Sequence, residues 1–162
     1  MRTLVWLVIA AACSSGAKHE DGATTMAPSD PPKPVQPAST PLVHITTPKG
    51  DVDVHVEVVS TPPLLQRGLM YRQHLPLDAG MLFLMGEESD HVFYMRNTLI
   101  PLDMIFIASD LTIAGIVENA EPRTETLRRV GKTSLYVLEV NGGWTAAHQV
   151  VPGAKVRFDG VK

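Results

Sequence analysis

From residue 42 onward the chain breaks into short apolar and alternating stretches separated by turn-forming residues. Val-His-Ile-Thr-Thr at 43–47 and Val-Asp-Val-His-Val-Glu-Val-Val at 52–59 place apolar side chains at every second position. That is the period of a half-buried strand, and the Pro-Lys-Gly-Asp run between them reads as a hairpin turn. Thr61 then offers an N-cap with Pro62 at the first helical position. Leu64, Leu65, Leu69 and Met70 follow at helical spacing, which predicts one short helix over 62–72. Gly68 inside it costs about 1 kcal/mol against Ala and points to close backbone packing. Further strands are predicted over 80–85, 92–96, 102–107, 111–117, 135–140 and 154–158, with a turn at 86–90, a polar loop over 121–133 and a helical turn over 143–149. Many short strands with regular turns predict a mostly β fold, a sandwich or barrel carrying one short helix.

The first 41 residues follow another pattern. Arg2 precedes an apolar run at 4–12, which ends in Ala-Ala-Ala followed by Cys13. A basic residue, an apolar run and small residues make an export signal, and the run is too short to span a bilayer as a helix. The stretch 14–41 is Ser, Ala, Thr, scattered charge and six prolines, a composition that cannot build a packed core. The predicted organisation is a signal segment at 1–12, a cysteine and proline-rich tether at 13–41, and one compact domain at 42–162. The end of the signal resembles a bacterial lipoprotein lipobox. That resemblance implies a diacylglycerol on the Cys13 thiol, cleavage before Cys13 and anchoring to a membrane, the outer one where there are two, because Ser14 follows the cysteine. Without lipid, the same pattern implies plain secretion.

Charge narrows the partners. The chain has a formal net charge of -3, and from residue 42 onward 11 Lys and Arg stand against 14 Asp and Glu. The densest basic feature is Arg128-Arg129. A nucleic-acid partner demands a concentrated basic face, so nucleic acid is set aside. Cys13 is the one cysteine, which excludes an internal disulfide and a catalytic thiol in the domain, and there is no G-x-S-x-G motif.

Five strings carry a family resemblance: Arg-Gly-Leu-Met-Tyr-Arg at 67–72, Gly-Met-Leu-Phe at 80–83, Phe-Tyr-Met-Arg-Asn-Thr at 93–98, Ile-Pro-Leu-Asp at 100–103 and Leu-Glu-Val-Asn-Gly at 138–142. In order and spacing they resemble domain-of-unknown-function family 192 across nearly the whole domain. Tyr94 stands where that family usually has Trp. The resemblance implies a mostly β, jelly-roll-like fold, often in exported or anchored proteins, and implies no activity.

The chemistry-bearing residues concentrate around the same strings. Arg67, Arg72, Arg96, Asn97, Thr98 and Asp103 are candidates for a pocket, since several guanidinium groups favour a carboxylate, a phosphate or an acidic sugar. The competing reading is structural: Asp103 pairs with Arg67, Arg72 or Arg96, because a lone charge among apolar strand residues must be paired or lie at a rim. Glu139 is a further candidate ligand-binding residue, and with Asp103 it could form the carboxylate pair of a hydrolase. Met70, Met81, Met85, Met95 and Met104 read as core fillers rather than metal ligands. His44 and His55 lie on neighbouring strands without the spacing of a metal motif, so no metal or other cofactor is expected. The leading functional expectation is a tethered envelope domain that binds a small polar or anionic ligand, a glycan or a protein partner. The rivals are a hydrolase of envelope material acting through Asp103 and Glu139, and a purely structural accessory.

Overall fold

The structure, a computed structural model, describes residues 40–162. The signal segment, Cys13 and the tether through residue 39 lie outside the described residues. Seven strands, β1 (Leu42–Thr47), β2 (Gly50–Val59), β3 (Ala79–Ser89), β4 (Leu102–Ile107), β5 (Ile113–Ala120), β6 (Ser134–Asn141) and β7 (Val156–Asp159), form one sheet in the order β5-β4-β6-β3-β2-β1-β7. Two short helices accompany it, α1 (Pro62–Arg67) and α2 (Trp144–His148). The mostly β expectation holds. The architecture is a single sheet curled into a half-barrel, because its outer strands meet at one end. Thr112 bridges Lys155, and the Ile113 and Val156 amides donate to the Ala154 and Leu111 carbonyls.

All pairings are antiparallel except β2 with β3, which run parallel with α1 in their crossover. The alternation in β1 and β2 sends Val43, Ile45, Val54 and Val56 to the concave face. There they join Leu82, Ile105, Ile107, Leu138, Val140 and Val156 in one core, closed by Trp144 and Val150. The opposite face is also covered. Met81, Phe83, Met104, Phe106 and Val137 project from the central strands into a second core with Leu69, Leu75 and Met95. Burial on both faces explains why β4 is buried at every position: a strand covered on two sides reads as a continuous apolar run.

Three predicted elements differ. The helix stops at Arg67, because Gly68 adopts φ 46° and ψ -134°, a backbone conformation far from helical. The turn expected at 86–90 is largely the end of a longer β3, which runs through Ser89 with a shift of register after Leu84. The strand expected over 92–96 reduces to a single bridge between Phe93 and Arg128. This segment is a strap laid across the second core. It is held by the Met95 amide on the Thr124 carbonyl, the Arg123 amide on the Thr98 carbonyl and the Tyr71 amide on the Asn97 carbonyl. Asn97 turns it at φ 57°, a conformation Asn tolerates better than most residues.

Candidate functional site

The register of β6 decides where the two candidate acids point. Glu139 lies opposite Met81 of β3 and Met104 of β4, whereas Asp103 lies opposite Val140. Directly paired residues share a face and neighbours alternate, so Glu139 faces the second core and Asp103 the concave one. The expectation of a hydrolytic pair fails on this point: the carboxylates stand on opposite sides of the sheet and cannot flank one bond.

Asp103 also lacks the arginine partner expected of it. Its side chain is fully buried, and its four hydrogen bonds come from elsewhere. The amides of Asn119 and Gly143 donate to Oδ1 at 2.7 and 2.9 Å. The amide and hydroxyl of Thr145 donate to Oδ2 at 2.8 and 2.6 Å. Four donors satisfy the carboxylate completely and fasten the end of β5 and the start of α2 to β4. Asp103 is a structural clamp.

The arginines separate as well. Arg72 makes a bidentate pair with Glu57, which holds the Glu57 carboxyl below its ordinary pKa, chiefly through the hydrogen bond. Arg96 pairs with Glu125 through Nε and Nη2 at 2.9 and 3.0 Å and stacks over the Tyr94 ring. Its hydrogen bonds pull the Glu125 carboxyl down. Arg67 differs: among the described residues no carboxylate stands within ion-pair distance of it. It lies in the last turn of α1 at the junction of three cavities.

The cavity that holds Glu139 has a volume of about 260 Å³. Its roof is the end of α1 and the turn after it, its wall is Phe83 and Met85 of β3, and its far side is the strap with Val92, Phe93, Tyr94 and Thr98. The Phe93 ring fixes the strap by meeting Phe83 and Phe106 edge-on, at 5.3 and 5.9 Å. Glu139 is only 5% exposed, and burial alone pushes its carboxyl up to about 8. No hydrogen bond or charge from the described residues compensates it. Gly68 roofs it closely: a Cβ there would sit 3.1 Å from the Phe83 ring and 3.9 Å from Glu139 Oε2. The lining is methionine- and aromatic-rich, and all five methionines after residue 40 lie on this side of the sheet.

Of the sequence candidates, the structure brings Arg67, Thr98 and Glu139 into this one cavity. Arg96 and Asn97 line a neighbouring one with Arg67, and Arg72 a third. Asp103 is elsewhere. Sequence reasoning passed over Phe83, Met85, Phe93 and Tyr94 as lining residues. Their only signal is that Phe83, Phe93 and Tyr94 fall within the strings that carry the family resemblance and Met85 lies two residues beyond one, since apolar residues at strand spacing otherwise read as core. Among the described residues no three His, Cys, Asp or Glu side chains gather closely enough to hold a metal ion.

Comparisons with known proteins agree with this architecture. No curated protein matches the chain. A crystal structure of a protein of unknown function from Novosphingobium aromaticivorans DSM 12444 is 38% identical, with a TM-score of 0.70 over 72% of this chain and 83% of that one. A protein from Sinorhizobium meliloti 1021, named provisionally as a transcription regulator, is 40% identical, with a TM-score of 0.71 over 75% of this chain and 95% of that one. The profile of domain-of-unknown-function family 192, described as "Uncharacterized ACR", matches residues 44–158, and the chain belongs to that family.

Proposed function

We propose that the domain binds a small organic ligand in the cavity above Glu139. The observation that carries this reading is the unpartnered carboxyl itself. An isolated acid in an apolar cavity costs stability, and a domain that needed only a core would place Leu or Met there at lower cost. Perturbed acids in concave, mostly apolar cavities are the usual mark of a binding or active site. The volume is slightly below the roughly 300–1,000 Å³ typical of drug-sized ligands, which favours a one-ring or short-chain molecule over a glycan chain or a protein partner. Methionine walls adapt to ligand shape at little cost. The regulator name of the Sinorhizobium protein gains no support from the charge of this chain, which is -3 overall with no dense basic run. In the same reading the domain works outside the cytoplasm on a lipid attached to Cys13, a placement supported by the apolar run and the lone cysteine after it.

The test uses methionine-methyl NMR on the full chain. Indole and benzyl alcohol should shift the Met70 and Met85 methyl signals saturably and leave Met26 unchanged. If neither compound produces a saturable shift at any cavity methionine, the cavity is not a binding site.

A further inference from the structure

Given that binding reading, we infer that the cavity selects a small molecule with separated charges, its ammonium group paired with Glu139 and its carboxylate held at the mouth by Arg67. The geometry rests on three facts. Glu139 lies in the second half of β6 with methionines as its two cross-strand neighbours, and no described residue donates to it. Arg67 borders the same cavity. Of the other two candidate arginines, Arg72 is engaged by Glu57 and Arg96 by Glu125, while Arg67 has no such partner among the described residues. An acid inside and a base outside thus share one cavity without neutralising each other.

The chemistry of the walls selects the inner group. The charged or titratable side chains that line the cavity with Glu139 are Arg67 from α1 and Tyr94 from the strap; β3 contributes Phe83 and Met85, and β4 presents Met104 beside Glu139. An ammonium supplies three donors and a full positive charge, and the lining includes the aromatic residues Phe83 and Phe93, a residue type that attracts cations. A hydroxyl would hydrogen-bond the protonated acid but would bring no positive charge to hold it ionised. The binding step balances as follows. Glu139, protonated at neutral pH, loses its proton to the buffer; the resulting carboxylate pairs with the incoming ammonium, and no covalent bond to the ligand forms or breaks.

The experiment is calorimetry on the full chain at pH 7, in phosphate and in Tris, whose ionisation enthalpies differ. The probes are 4-(aminomethyl)benzoate, 4-(hydroxymethyl)benzoate and benzylamine. The aminomethyl compound is expected to bind at least about tenfold more tightly than its hydroxymethyl counterpart, which corresponds to about 1.4 kcal/mol. It should release close to one proton per ligand. Glu139→Gln, which keeps the volume and resembles the neutral acid, should abolish both the preference and the proton release. Arg67→Gln should weaken 4-(aminomethyl)benzoate and leave benzylamine unchanged. Equal affinity for the two benzoates, absent proton release, or an unchanged preference in Glu139→Gln overturns the inference while leaving the cavity a binding site. Failure of all three probes also overturns it, and the indole titration then decides separately whether anything binds.

Discussion

Replacing Glu139 with Gln should make the domain more stable at alkaline pH. The folded-state pKa of Glu139 is raised by burial from 4.5 to about 8. The native state therefore holds a proton that the unfolded chain gives up, and between those two values stability falls as pH rises. At about 1.4 kcal/mol per pH unit the full loss is about 5 kcal/mol. It is absent below about pH 4.5, accumulates through neutrality and levels off above pH 8. Gln has the shape of the protonated acid and does not titrate, so Glu139→Gln lacks this loss. For a domain of this size a change of 1 kcal/mol moves Tm by roughly 3–5 °C. The two proteins should melt within a few degrees of each other at pH 4 and differ by roughly 15–25 °C at pH 9, with the variant higher. Thermal melts followed by circular dichroism across pH 4–9 provide the measurement. Parallel Tm profiles would show that the carboxyl is solvated in the native state, and the account of the cavity would fall with them.

Asp103→Asn should behave in the opposite sense. An amide cannot accept all four donors and turns its own NH2 toward two of them, so a loss of about 3–5 kcal/mol is expected in denaturant melts; a loss under about 1 kcal/mol would contradict the clamp. Gly68→Ala places a Cβ 3.1 Å from the Phe83 ring at a backbone conformation hostile to L-residues, which should cost about 1–3 kcal/mol and exclude indole from the cavity; a variant of wild-type Tm that still binds indole would refute the roof. Arg72→Gln breaks an exposed pair and should change stability by less than about 1 kcal/mol, measured in the same melts, so a larger change would give that pair a role the structure does not.

Most of the sheet was legible because β1, β2, β4 and β6 announce themselves by alternation or by unbroken apolar runs. What was not legible depends on non-local covering. Residues 92–96 have strand composition, yet they serve as a strap, since every position beside β3, β4 and β6 is already occupied and only the exposed face of their core remains. The strap and the turn after α1 cover Glu139 in the same way. From sequence an acid between Leu138 and Val140 looks solvated, because alternation implies one wet face, and here both faces are covered. Asp103 was correctly marked as needing partners. Those partners are three backbone amides and the Thr145 hydroxyl, 16 to 42 residues downstream, and backbone donors leave no trace in residue type. Arg72 and Arg96 were grouped with Arg67 by proximity along the chain, but Glu57 and Glu125 had already claimed them.

The position of β6 in the sheet order has a kinetic consequence. The strands β1 to β3 and the hairpin β4–β5 share no ladder with each other; β6 inserts between β3 and β4, and β7 ties β1 back to the start of β5. Both joins come from the last thirty or so residues of the sequence. Closure of the half-barrel waits on pairings far apart in sequence, the class of contact that makes folding slow. Because β6 carries Glu139, whose carboxyl burial raises to about 8, closure between about pH 4.5 and 8 also takes up a proton.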